Sequence, residues 1–227
     1  MRELSRVLGE RVLIYEGSKK LIYAGPDSNT LIMHFLKEDD NDSWRNKISE
    51  VIWQYLKSVG IENHFLHTLN IREQLVSSVN VFPVFLRIHN VSQEDLLNRL
   101  GVEIGTTFTN PLLEWHLKSK YLNDPLISRE HIKYFNWLSE EQLNSVYKLA
   151  TRTNDVLMAL FYYAGMKPSL VELHFGVKDG QIILVGELSP ETILFWEEAE
   201  YKTLNKGEVY SKLKVLPFQH IRKPVYY

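Results

Sequence analysis

Apolar and polar residues along this chain follow two periods, and the switches between them mark its elements. Residues 11–23 (RVLIYEGSKKLIY) hold two short runs rich in Val, Leu, Ile and Tyr on either side of Glu16-Gly17-Ser18-Lys19. Such runs flanking a glycine-containing loop predict a β-hairpin. Gly25-Pro26-Asp27-Ser28 is a turn signal, and residues 29–36 (NTLIMHFL) predict a third strand of an antiparallel sheet. Residues 37–43 are acidic and polar and predict a loop. Over residues 46–59, Ile48, Val51, Ile52, Tyr55, Leu56 and Val59 recur at helical spacing, with Gly60 placed to end the helix. Residues 73–78 and 81–89 have strand composition, with Pro83 near a strand start or on an edge.

The second part of the chain mixes both periods. Ser92 is placed to cap a short helix, with Asp95 three residues on and Gly101 closing it. Residues 110–118 predict a strand, Asn123-Asp124-Pro125 a turn, and residues 128–135 a short helix. The longest helix is expected over residues 139–163. There Ser139 and Gln142 form a capping pair, Leu143, Val146, Tyr147, Ala150, Leu157 and Leu160 make the apolar stripe, and Gly165 ends it. Residues 169–176 and 181–186 predict a hairpin turned by Asp179-Gly180. Beyond it the pattern is ambiguous, and Pro217 and Pro224 exclude one continuous helix. The sum is an α+β chain with a mostly β N-terminal lobe, residues 1–80, and a larger α+β lobe, residues 81–227.

Composition narrows the chemistry. The 227 residues contain no cysteine, which removes disulfides, thiolate nucleophiles and zinc-thiolate sites. A net charge of -2 offers no general field for nucleic acid or an anionic membrane, and neither is expected as a partner. The apolar runs are too short for a secretory leader or a bilayer span, so a cytoplasmic protein is expected. The histidines show no HExxH-type metal spacing. Glu172 and His174 lie two apart on one predicted strand, hence on one face, and make a candidate acid/base pair. The aromatic runs at 134–137 and 161–163 are too dense for one buried helix face, so part of each is expected at a cleft or an oligomer interface.

Several segments, in order, resemble the SAICAR synthetase (phosphoribosylaminoimidazole-succinocarboxamide synthase) family: YEGSKKLIY, NVFPVFLRI, NRLGVEIGT, NPLLEWHLKSKYLNDPLIS, ALFYYAGM and ELHFGVKDGQIILVGELSPETILFW. The resemblance spans about Tyr15 to Trp196. It implies a two-lobed fold similar to kinase and ATP-grasp architectures, with nucleotide held between the lobes. It also implies an ATP- and magnesium-dependent ligase joining the aspartate amine to a carboxylated imidazole ribonucleotide. By this resemblance Gly17, Ser18, Lys19 and Lys20 stand at the nucleotide loop, and Arg87, Ser92 and Ser189 at the substrate. Lys19, Lys118, Asp124 and Glu187 stand among catalytic positions, and Glu187 with Glu191 at magnesium.

The same resemblance exposes departures. Where the family reads Asp-Phe-Lys-Leu-Glu-Phe-Gly, this chain has Leu170, Val171, Glu172, Leu173, His174, Phe175 and Gly176. The lysine-to-Glu172 change reverses a charge beside the expected phosphates. Where the family reads Asp-Glu-x-Ser-Pro-Asp, the first acid is Gly186, whereas Glu187, Ser189 and Glu191 persist. Leu194 replaces an arginine. Three functions are compatible with this balance. The first is a repurposed ATP-dependent amide ligase acting on a phosphoribosyl-imidazole or similar anion. The second is an inactive homologue binding a ribonucleotide-like ligand or a partner, such as an active paralogue or a second copy. The third is a genuine SAICAR synthetase.

Overall fold

The computed structural model describes residues 11–17, 19–36, 42–162, 165–197, 200 and 202–215. Ser18 and the residues after 215, including Pro217 and Pro224, lie outside that set.

The first sheet has strands β1 (Leu13–Glu16), β2 (Lys20–Ala24), β3 (Thr30–Phe35), β4 (Phe65–Asn70) and β5 (Glu73–Ser77). They are ordered β1-β2-β3-β5-β4, all antiparallel. Helix α1 (Asp42–Ser58) is inserted between β3 and β4. It starts four residues before the predicted start at residue 46. Gly60, at φ 76°, ends it, with the Ile61 N–H donating to the Leu56 carbonyl at 2.9 Å. Strand β4 has no strong sequence signature because its pattern of exposed and covered residues breaks at two bulges against β5.

The second sheet begins at β6 (Asn80–Val91) and contains β7 (Thr107–Leu117), β8 (Leu126–Ile127), β9 (Lys167–Lys178), β10 (Gln181–Val185), β11 (Ile193–Glu197) and β12 (Lys202–Thr203). Its order is β12-β11-β9-β6-β7-β8, with β10 also paired to β9. Pro83 sits inside β6, where the register with β9 shifts between Val81 and Phe85. A proline without an N–H is accommodated at such a bulge. Helices α2 (Glu94–Leu100), α3 (Arg129–Tyr134), α4 (Glu140–Tyr162) and α5 (Lys206–Val215) complete the lobe. The capping pair predicted for α4 is present: the Gln142 N–H donates to Ser139 Oγ at 3.1 Å, and the Ser139 N–H to Gln142 Oε1 at 2.9 Å. Asp179 and Gly180 both have positive φ, as a two-residue hairpin turn between β9 and β10 requires.

Alternation in the long strands of the second sheet decides which face is core. Val84, Leu86 and Ile88 of β6 join Val171, Leu173 and Phe175 of β9 in the main hydrophobic cluster. Leu143, Val146, Ala150, Leu157 and Phe161 of α4 complete that side of the core. The intervening residues Phe85, Arg87 and His89, with Glu172 and His174, therefore face the other way, toward the first sheet. Residues 62–64 join the two sheets. The His64 N–H donates to the Leu184 carbonyl at 3.0 Å, and the Ser77 N–H to the His64 carbonyl at 2.7 Å. No helix among the described residues is long and apolar enough to cross a membrane.

One glycine tests this packing. A Cβ at Gly176 would lie 2.6 Å from Val79 Cγ1 and 2.7 Å from the Asn80 carbonyl oxygen, where the chain passes from one sheet to the other. Gly176→Ala is expected to cost about 1–3 kcal/mol, the range for overpacking a filled interior. Urea denaturation checks it, and an unchanged midpoint would show that the 79–80 connection yields freely.

Candidate functional site

The cleft between the sheets is built rung by rung. Register sets His174, Phe85 and His116 across β9, β6 and β7, and sets Glu172, Arg87 and Glu114 across the next rung of that face. The Phe85 ring stacks on both histidines, at 4.8 Å from His174 and 5.3 Å from His116, which is how a phenylalanine on a polar face is buried. Arg87 Nε donates to Glu172 Oε2 at 3.3 Å, and His174 Nε2 meets Glu172 Oε1 at 3.0 Å. Burial pushes the His174 pKa down, against the pull of Glu172, so the ring is neutral at pH 7 and its Nε2–H donates. Burial also penalises ionised Glu172. The hydrogen bond from His174 and the charges beside it outweigh that penalty and hold the carboxyl below the usual range.

The wall opposite comes from β2, α1 and the segment after β10. Glu187 is 3% exposed and Arg45 1%. Arg45 grips the carboxylate with two bonds, Nε to Oε1 at 2.5 Å and Nη2 to Oε2 at 2.8 Å. Ser189 Oγ donates to Oε1 at 2.6 Å, and Lys20 Nζ lies 3.8 Å from Oε2. The guanidinium also lies over the Phe35 ring, 5.0 Å from its centre. Burial disfavours the Glu187 anion, but Arg45, Lys20 and Ser189 together win, and the pKa is lowered. The stabilisation is thus present above the ordinary carboxylate pKa and is lost as pH falls through the lowered value. Lys19 pairs with Glu191. Burial lowers the pKa of Lys20, with Glu187 opposing and Arg45 adding to the effect.

The remaining predicted residues are placed as follows. Gly17 closes the first hairpin, its N–H donating to the Lys20 carbonyl at 2.9 Å. Lys118 follows β7, and its pKa is lowered by burial and by the charge of Lys20 from the opposite sheet. The residue itself is exposed. Asp124 orders its own loop: Oδ1 accepts from the Ser119 N–H at 2.8 Å. Ser92 does not cap α2, and it is fully buried. Its hydroxyl donates to the Glu103 carbonyl and accepts from the Thr106 N–H at 2.9 Å, while Gln93 is the N-cap residue, with no side-chain capping bond. The cleft therefore gathers Lys19, Lys20, Arg87, Lys118, Glu172, His174, Glu187, Ser189 and Glu191, and leaves Ser92 in a loop closure.

Sequence reasoning missed Arg45 and His64. Arg45 falls in the first turn of α1, before the apolar stripe, where a charged residue carries no pattern. His64 Nε2 lies 3.0 Å from the Gly186 carbonyl oxygen; burial and the charge of Lys20 push its pKa to about 3, so a neutral ring donates. Gly186 has φ 90°, and a Cβ there would sit 3.4 Å from the His174 ring and Cβ.

The donor set does not suit a divalent cation in this arrangement. Magnesium takes oxygen ligands at about 2.0–2.1 Å, typically one or two carboxylates completed by phosphates and waters. Both oxygens of Glu187 already accept hydrogen bonds from Arg45, and one also from Ser189. Glu191 is held by Lys19, and Gly186 brings no carboxylate. Elsewhere His89, Asp95 and Glu114 lie close enough to share a metal. Arg99 fills that space too, donating to Glu114 Oε2 at 2.7 Å and Asp95 Oδ2 at 3.3 Å.

Two sheets facing each other across a lysine-lined cleft define a two-lobed α+β protein of the SAICAR synthetase type. The chain belongs to that family: the SAICAR synthetase family model matches residues 13–215. It is 34% identical over 219 residues to the phosphoribosylaminoimidazole-succinocarboxamide synthase of Hyphomonas neptunium, covering 88% of this chain and 84% of that one. To the Pelagibacter ubique synthase it is 36% identical over 211 residues, covering 85% and 80%. The crystal structure of the Ehrlichia chaffeensis synthase superposes with a TM-score of 0.82 at 30% identity, over 90% of this chain and 99% of that one. A SAICAR synthetase solved in complex with ADP shares the fold, with a TM-score of 0.82 at 24% identity, over 93% and 99%.

Arg45→Met leaves Glu187 buried without its main partner and is expected to cost about 3–5 kcal/mol. Adding Glu187→Gln should return at least half of that loss in a denaturation cycle. No recovery would mean that Arg45 acts by packing on Phe35 rather than by charge.

Proposed function

We propose that this chain binds a phosphorylated, ribonucleotide-like ligand between its lobes and does not complete ATP-dependent ligation. The observation that supports binding most directly is the meeting of Lys20 and Lys118. They come from opposite sheets, both have lowered pKa values, and the charge of Lys20 is one cause of the shift at Lys118. Among the described residues Lys118 has no ion-pair partner. Like charges facing each other from the two sheets disfavour the empty cleft, and a phosphate between them reverses that cost. Lys20 and Lys118 bind and orient the anion in this reading. His174, stacked on the buried Phe85 ring, lies on the same face of the second sheet. Neutral His174 accepts no charge at pH 7, and Glu172 turns phosphate away from its end of the cleft, which fixes the ligand's direction.

Loss of ligation follows from the charges. The family reaction relies on positive charge preorganised around transferring phosphate. Here Glu172 brings a negative charge to one such position, and no carboxylate of the Glu187 wall is open to a metal. A second reading, a repurposed ATP-dependent amide ligase on a phosphoribosyl-imidazole or similar anion, is favoured by one feature. The Asp124 loop still holds the segment that presents Lys118 toward Lys20.

Calorimetric titration with ADP, the ligand named with the solved relative, separates these readings when paired with turnover. Binding is expected, weakened about tenfold or more by Lys118→Ala, as befits loss of one charge-assisted contact. With ATP, magnesium, aspartate and carboxyaminoimidazole ribonucleotide, no ADP release above the Lys118→Ala background is expected. Absence of ADP binding at millimolar concentration would overturn the binding proposal, and ribonucleotide-dependent ADP release would establish the ligase instead.

A further inference from the structure

The carboxylates that family resemblance places at magnesium are engaged by this chain's own cations, and the geometry of that engagement is specific. Arg45 lies parallel to the Glu187 carboxylate, one nitrogen on each oxygen, at 2.5 and 2.8 Å. This is the fork-to-fork geometry in which a guanidinium binds a carboxylate most strongly. Ser189 adds a third donor to the same carboxylate, and the Lys20 ammonium a second positive neighbour. The guanidinium is covered on one side by Phe35 and is within 3.4 Å of the Lys19 carbonyl oxygen, so the first sheet fixes it from behind.

A metal ion at Glu187 would have to displace that fork and stand beside Arg45 and Lys20 at once. Unlike a lysine, an arginine does not yield by losing its proton. The neighbouring positions offer no substitute ligand. Gly186 has no side chain, and its carbonyl oxygen already accepts from His64. Glu172 is turned to Arg87 and His174 on the floor of the cleft.

We infer that the Arg45 guanidinium is the resident cation of this cleft, standing on Glu187 in place of a divalent metal, so that a phosphorylated ligand enters as the metal-free anion. The choice of ligand rests on the nucleotide-binding reading above; the statement about the metal does not. Positive charge for the phosphates then comes from Lys19, Lys20 and Lys118. Chelation of the ligand by magnesium would cancel charge that these lysines use.

The test compares ADP titrations of the wild-type chain in EDTA and in saturating magnesium, with Mn2+ paramagnetic resonance as a second readout. Affinity is expected to be higher in EDTA than in magnesium, which competes for the ligand, and the protein should capture no free Mn2+; by withdrawing metal-free ADP it should only raise the free Mn2+ signal. Binding about tenfold tighter with magnesium, together with Mn2+ captured by wild type but not by Glu187→Gln, would overturn the inference and leave nucleotide binding intact. If ADP binds under neither condition, the nucleotide reading fails, and Mn2+ alone decides the metal question. Wild type is then expected to bind no Mn2+, and capture lost in Glu187→Gln would again overturn the inference. Arg45→Met, where its circular dichroism shows it folded, is expected to gain Mn2+ binding that wild type lacks; no gain would count against Arg45 as the occupant.

Discussion

One buried ion pair organises the seam of this protein. Arg45 and Glu187 are almost wholly removed from water, and each would be costly there alone. Their pairing is viable because the geometry is bidentate and Ser189 satisfies a further lone pair. The pair also ties three distant parts of the chain together: the first turn of α1, the start of β2 through Lys20, and the segment leaving β10. Lys20, 3.8 Å from Glu187, is held against this contact.

Seen from that pair, the departures from the family pattern form one consistent charge arrangement. With Arg45 on Glu187, a second carboxylate at position 186 would have no cation to serve, and its backbone φ of 90° suits glycine. Glu172, reversed in sign, finds Arg87 and His174 rather than a phosphate. The same solution recurs at the far end of the floor, where Arg99 fills the space among His89, Asp95 and Glu114. At both places an arginine pairs with the carboxylates. The proposal of anion binding without ligation rests on this charge arrangement.

The sequence made the frame legible and the seam illegible, for physical reasons. Elements with long apolar periods or strict turn chemistry were readable. The Ser139–Gln142 capping pair, the Asp179-Gly180 turn and the helix end at Gly60 all depend on local contacts that the chain spells out. The pairing of Glu172 with His174 was likewise readable, because a period of two fixes the face. Strand β4 escaped because bulges break its alternation. Ser92 misled because its hydroxyl has two local uses, capping a helix or closing a loop, and only the position of Glu103 and Thr106 decides between them. Arg45 could not be found at all: its partner lies 142 residues away, and nothing near it in sequence distinguishes it from a solvated charge.

The most direct measurement is an anomalous-diffraction experiment on crystals grown with ADP and Mn2+. The account predicts no manganese peak beside Glu187 and an Arg45 guanidinium still forked on its carboxylate. A manganese ion bonded to a Glu187 oxygen, with Arg45 displaced, would contradict it.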